Sequence, residues 1–472
     1  MKKILALLLT ATLMLGSVSA GALSANPLRG DTNGDGELTV KDATLIQKHI
    51  AGMITLSGDK LVNADKDSDG YVLVGDATMV QREVALLSKA PARLSDDEVF
   101  KAGKKAECDF AAKLIKTDRA DRKNVLVSPL SVMEALSMTA NGAGKDTLRQ
   151  MENVLGMPLD TMNRYFQKYP TYLCNGYDDI NKLCIANSLW YNTLLGDAVV
   201  NDNFTDSVHE FYNSELFKLP FNNAAAGKIN NWVDQHTDGM IPEVLDSVSP
   251  SSLMCLVNTL AFDGKWQDEY YTYSVHDGDF RNADGSYYSA EMMYSDEYTY
   301  IHDDMAQGFI KEFSGGNYGF AAVLPNENVS LKEYLNQLSG DRLQKLLDSK
   351  KHNTVYTMMP KFKTDYSTEM SSVLKGLGMT NAFDSGKADF YKMLAPGTAG
   401  FKPYIDRVIH KTTIDVNETG TKAAAATVVE VNAGSAMPED PKRVYLNRPF
   451  LYMLVNLKTN TPFFIGTVSQ LS

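Results

Sequence analysis

An apolar run from Ile4 to Gly16 follows Met1-Lys2-Lys3 and closes on Val18-Ser19-Ala20. A charged start, a short apolar core and a small-x-small ending predict a secretory signal peptide over residues 1–25, with an alternative cut after Ala22-Leu23-Ser24-Ala25. The run is too short to span a bilayer comfortably, and no later stretch reaches the length of a transmembrane helix. The expectation is a secreted, extracellular protein. Further along, apolar residues recur with a helical period over Phe100 to Lys116 and Ser131 to Leu155, and β-branched and aromatic runs dominate after them. Residues 98–472 show no break in composition, which predicts one large α+β domain. Between signal and domain, residues 28–88 hold an internal repeat, and residues 89–97 form a short link with Pro91 and acidic side chains.

Composition narrows the classes. Of 472 residues 44% are hydrophobic and 10% aromatic, enough for a large core and too many for a disordered chain. The net charge of −12 argues against nucleic acid or an anionic membrane as partner. The four cysteines, Cys108, Cys174, Cys184 and Cys255, make no C-x-x-C pair, which excludes a zinc ribbon or a redox motif. Cys174 and Cys184 are close enough in sequence to pair, yet a core of this size needs no staples, so free buried thiols are expected.

The repeat carries chemistry. Its copies read GDTNGDGELTVKDATLIQKHIAG and ADKDSDGYVLVGDATMVQREVAL. In the first, Asp31, Asn33 and Asp35 take loop positions one, three and five, Glu37 offers a carbonyl at seven, Thr39 sits at nine and Asp42 at twelve. In the second, Asp65, Asp67, Asp69, Tyr71 and Asp76 take the matching places, and Leu73 at nine has no side-chain oxygen. Oxygens on alternate residues of a tight loop, with Gly36 or Gly70 at the turn, wrap one hard cation each, so two calcium ions are expected. Position twelve is Asp rather than Glu, and each loop feeds one following helix without a matching helix before it. On these residues the segment resembles a dockerin, a small all-α module that binds cohesin domains of scaffolding proteins. The resemblance implies cohesin contacts from Val40, Lys41, Gln47 and Lys48, and from Val74, Gly75, Gln81 and Arg82.

In the large domain no G-x-S-x-G occurs, His209-Glu210 lacks the second His of a zinc motif, and Gly142-Ala143-Gly144-Lys145 is followed by Asp146 where a phosphate loop needs Ser or Thr. No enzyme chemistry is expected. The informative stretch begins at Glu418-Thr419-Gly420 and continues Thr421-Lys422-Ala423-Ala424-Ala425-Ala426-Thr427-Val428-Val429. Four Ala favour helix, but the following Val favour strand, and Gly434-Ser435-Ala436-Met437-Pro438 reads as exposed loop. Small residues followed by β-branched ones suit a segment that is loop in one state and strand in another.

That segment resembles the hinge and reactive loop of a serpin. Asn124 to Ser131, Asn141 to Thr147, Ile229 to Val233, Asn258 to Trp266 (with Asp263 where Lys is commoner), Met359 to Phe362, Asn447 to Phe450 and Phe464 to Gly466 match serpin stretches in order. The resemblance implies the serpin fold and a covalent suicide inhibitor of an extracellular protease, monomeric in its serpin domain. It implies a hinge at Glu418, Gly420, Thr421 and Ala423 to Thr427, and a structural polar cluster, the shutter, at Ser128, Ser131, Asn258 and His410. On insertion Thr421, Ala423, Ala425, Thr427 and Val429 would point inward, none charged or Pro, while Lys422, where an acidic residue is usual, would face water. Family spacing puts the scissile bond at Gly434-Ser435, with Ala433-Gly434 and Ala436-Met437 open. Small residues there suit a subtilisin-like or elastase-like protease, or else a papain-like one. The other reading is a serpin fold kept only for binding or structure. The dockerin implies a scaffold-associated or cell-surface-associated location.

Overall fold

The computed structural model describes residues 29–35, 38–67, 70–89, 94–117, 124–174, 181–195, 200–395, 398, 400–421 and 441–471. The expected signal segment, Glu37, Asp69, hinge residues 423–427, Gly434 and Ser435 lie outside them. The chain divides into two units, Met1–Arg93 and Leu94–Ser472. Among the described residues no helix is long and apolar enough to cross a membrane.

The first unit holds α1 (Val40–Ile50), α2 (Asp59–Ala64) and α3 (Val74–Lys89). Ala43 and Ile46 of α1 pack with Ala77 and Val80 of α3, over Leu56 and Ala64. Helix α1 starts at a capping box: Lys41 N donates to Thr39 Oγ1 and Thr39 N donates to Asp42 Oδ2 at 2.8 Å. Helix α2 falls in a stretch that reads as turns and precedes the second loop, which therefore does have a short helix before it. Its six residues are too few for periodicity to register. Helix α3 reaches Lys89 and the next helix begins at Asp96, so structure enters the expected link from both ends.

The second unit starts with α4 (Asp96–Thr117), β1 (Asn124–Val127), α5 (Pro129–Ala140), α6 (Lys145–Leu155), α7 (Leu159–Cys174), β2 (Lys182–Asn192), α8 (Asp202–Tyr212), β3 (Glu215–Leu219), α9 (Ala225–His236) and β4 (Met254–Asp263). It continues with β5 (Val275–Arg281), β6 (Tyr287–His302), β7 (Ala306–Glu312), β8 (Tyr318–Pro325), α10 (Leu331–Gln337), α11 (Gly340–Asp348), β9 (Lys351–Pro360), β10 (Phe362–Glu369), α12 (Ser371–Gly376), β11 (Ile409–Val416), β12 (Lys442–Tyr445), β13 (Phe450–Asn456) and β14 (Thr461–Val468). The described strands form a nine-stranded sheet, β1-β14-β13-β8-β7-β6-β9-β12 with β5 on β6, and two small sheets, β3-β2-β4 and β10-β11. Strands β13 and β14 are buried at every position and read as continuous apolar runs, the pattern of a strand covered on both faces. Helix α5 is buried at every position but Ala135 and packs against both β14 and β4, so it lies between the large sheet and the small ones.

One charged pair is sealed inside. Lys311 of β7 is 2% exposed, its Nζ is 2.8 Å from Glu297 Oε1 of β6, and it lies 4.4 Å from the ring centre of Tyr270 and 5.6 Å from that of Trp266. Glu297→Gln leaves that ammonium buried without its counter-charge and should destabilise the protein by about 3–5 kcal/mol, whereas replacing both partners, Lys311→Met together with Glu297→Leu, should be near neutral. Apparent melting temperatures of the two variants check this, with a marked drop expected only for Glu297→Gln.

Candidate functional sites

In the small unit the loop backbones are organised by the acidic side chains. Asp31 Oδ1 accepts from Gly34 N at 2.7 Å, Asn33 Oδ1 from Asp35 N at 2.8 Å, and Asp42 Oδ1 from Asn33 N at 3.1 Å. In the second loop Asp76 Oδ1 accepts from Lys66 N at 2.7 Å, and Asp65 Oδ2 from Gly70 N at 3.0 Å. Carboxylate oxygens of Asp65, Asp67 and Asp76 lie within 4.8 Å of one another. Three converging carboxylates repel unless a cation lies among them, and an all-oxygen donor set suits a hard one, so these residues fit calcium. Thr39 spends its hydroxyl on the helix cap, and Tyr71 is 69% exposed. Val40 and Val74 are 62% and 63% exposed at the first turns of α1 and α3, and Lys41, Gln47, Lys48, Gly75, Gln81 and Arg82 are exposed beside them.

In the large unit β4 and β11 belong to different sheets, and a cavity of about 440 Å³ lies between them, lined by Ser128 at the N-cap of α5, Ser131 of α5, Asn258 of β4, and His410 and Thr412 of β11. The sheets meet at one end only among the described residues. Trp266 N donates to Thr419 O at 3.0 Å, Tyr270 N to Glu418 O at 2.9 Å, and Thr421 N to Gly264 O at 2.8 Å, around an antiparallel bridge of Lys265 to Gly420. A Cβ on Gly420 would lie 2.0 Å from Gly264 O, so only glycine permits this approach. Thr421 is 3% exposed and its Oγ1 accepts from Gly264 N at 3.1 Å. Glu418 pairs with Lys361, which also reaches Glu291 at 2.9 Å. Burial opposes the charge on Glu418, but the Lys361 contact holds its carboxyl below the usual range.

All four residues of the predicted polar cluster line the cavity, and three of them, Ser128, Ser131 and His410, are linked by hydrogen bonds. His410 Nε2 accepts from Ser128 N at 3.0 Å, and Ser128 Oγ accepts from Ser131 N at 3.1 Å. Burial pushes the His410 imidazole down to about 4, which fits a ring nitrogen that must stay free to accept. Asn258 turns away from these and donates to Glu134 Oε2 at 3.0 Å and Asn187 Oδ1 at 2.8 Å. Glu134 and Asn187 are additions that sequence reasoning missed; the available signal was an acid in the middle of the apolar run Pro129 to Met138. Cys108 is a buried unpaired thiol, and the Cys174 side chain lies outside the described residues.

A family profile described as serpin (serine protease inhibitor) matches residues 105–471, and one described as dockerin type I domain matches residues 29–85. Serpin B6 of Pongo abelii is 31% identical over 381 residues, covering 76% of this chain and 97% of that protein. Antithrombin-III of Homo sapiens is 30% identical over 366 residues, covering 74% and 77%. The crystal structure of a thermophilic serpin, tengpin, in its native state superposes with a TM-score of 0.73 at 38% identity, over 81% of this chain and 96% of that one. The same serpin in its latent state gives 0.68 at 35% identity, over 81% and 100%.

The depressed His410 has a stability consequence. An unfolded histidine takes a proton near 6.5 and the buried one near 4, so native stability is full above pH 6.5 and is lost as the pH falls toward 4, by on the order of 3 kcal/mol. His410→Gln, which can still accept from Ser128 N, should remove that part of the acid loss, read as the difference between wild-type and variant unfolding curves at pH 7 and pH 4.5.

Proposed function

Because the chain belongs to the serpin family and carries a type I dockerin module, we propose that it is an exported protease inhibitor acting by cleavage and insertion of the loop after Thr421. The supporting observation is the gap between β4 and β11, closed over Thr421 at one end and holding no strand below it among the described residues. The protease serine attacks the carbonyl carbon of Gly434, the Gly434–Ser435 bond breaks, and the new amine of Ser435 leaves with the proton from the protease's base. The remaining acyl-enzyme ester ties the protease to the loop. The loop then enters the gap antiparallel to β4, in the sense of the Lys265–Gly420 bridge, and pulls the protease away before water cleaves the ester. Hinge residues 423–427 supply small side chains for that passage. The small residues at 433–436 favour a shallow apolar pocket, of subtilisin or elastase type.

The dockerin gives this inhibitor an address. Two calcium ions, one per loop, would neutralise the acidic clusters and fix α1 and α3, whose exposed first turns then present Val40, Lys41, Gln47, Lys48, Val74, Gly75, Gln81 and Arg82 to a cohesin. Held on a scaffold, the inhibitor meets incoming proteases at high local concentration and protects the assembly, or restrains the host cell's own extracellular proteases.

With subtilisin as probe, a covalent complex should survive denaturing electrophoresis, and mass spectrometry should find a released peptide starting at Ser435. The loop-cleaved protein should melt well above the intact one; equal melting temperatures would sink the insertion mechanism. For docking, Asp31→Ala with Asp65→Ala should weaken cohesin binding in calcium at least tenfold, as a chelator should for the wild type. Unchanged affinity would refute metal-dependent docking.

A further inference from the structure

Glu134 is 1% exposed on the buried helix α5. Its Oε1 accepts from Asn187 Nδ2 of β2 at 2.9 Å and its Oε2 from Asn258 Nδ2 of β4 at 3.0 Å. The remaining amide hydrogens go from Asn258 to Asn187 Oδ1 at 2.8 Å and from Asn187 to Tyr212 O at 2.8 Å. All four hydrogens are thus used, and two of them fasten β2 and β4 to α5. The other half-sheet is attached separately: His410 Nε2 accepts from Ser128 N, and Thr412 Oγ1 donates to Leu126 O at 2.7 Å. A strand entering the gap must spread β4 from β11, so at least one attachment has to slide. We infer that Glu134 is a latch, a positioning residue that holds the β2–β4 half-sheet on α5 and whose release sets the rate of strand entry. This rests on the insertion reading above.

The latch has two strengths. Burial drives the Glu134 carboxyl up to about 7, against the amide hydrogen bonds that favour its charge. When ionised, both oxygens accept, and breaking the contacts strands a charge with no neighbouring cation among its hydrogen-bond partners. When protonated, one oxygen becomes a donor facing an amide donor, while Asn258 Oδ1, buried without a hydrogen-bond partner among the described residues, offers a new acceptor once that amide turns. Entry therefore quickens as the pH falls. The surrounding titratable groups are Tyr212, His209 and Asp206 of α8, Glu215 of β3 and His236 of α9, which share a cavity with Glu134. His410 lies on β11, Cys255 on β4 and the buried Glu107 on α4, where burial pushes the carboxyl up to about 8.

The test uses the full chain and a synthetic peptide copying residues 421–432, whose incorporation is followed by native gel and by the gain in melting temperature. For the wild type the incorporation rate should rise at least threefold from pH 8 to pH 6. Glu134→Gln should be faster than wild type at pH 8 and flat across that range. A flat wild-type profile overturns the latch without any variant. A pH dependence surviving in Glu134→Gln belongs to another group and overturns it too. Asn187→Ala, which removes one amide donor, should move the midpoint of the profile to higher pH; an unmoved midpoint counts against Glu134. Peptide entry with this profile but no covalent protease complex would sink the inhibitor reading and leave the latch standing.

Discussion

The large unit depends on two strand edges that face each other and do not pair. Strands β4 and β11 each complete one side of a ladder, with β2 and β10, and leave the other side toward the cavity. Backbone N–H and C=O groups demand partners, and a ladder bond adds on the order of 1 kcal/mol net. A single extended segment laid between the edges would satisfy both at once. The facing edges are thus bonds not made, while the attachments through Ser128 and Glu134 tie the two halves to one base.

Helix α5 is the common base for those attachments, which explains its burial on almost every side. An ordinary surface helix shows one apolar stripe; α5 must pack on β14 below and on β4 above, and must also present Ser128, Ser131 and Glu134 to the strands. Polar groups in such a place are tolerated only when bonded. Here they are bonded to opposite halves of a divided surface, so the same contacts that satisfy them also register the two halves.

The sequence carried the local features and hid the long-range ones. Alternation from Gly420 marks Thr421 as inward, and its side chain is buried against Gly264. The spacing of Asp65, Asp67 and Asp76 announces their convergence, because all three belong to one short loop. His410 reads as a core histidine, and its neutral ring accepting a backbone hydrogen agrees with that. Glu134 escaped because an acid among apolar residues on a helix ordinarily marks the solvent side; only packing on all sides makes it internal. Helix α2 was too short to leave a period. The division of the sheet is invisible in any window of sequence, since β5 to β10 lie between β4 and β11 along the chain.

The pairing of β1 with β14, Asn124 opposite Val468, joins the two ends of the large unit. The base on which α5 rests is thus incomplete until the last strand of the chain is available. Local ladders such as β13–β14 and β10–β11 close over short or moderate distances, whereas this one must wait for loop closure over most of the domain. A chain emerging N-terminus first stays uncommitted until its final segment arrives. That delay makes β14, distant in sequence from α5, the element that decides when the two half-sheets first acquire a common base.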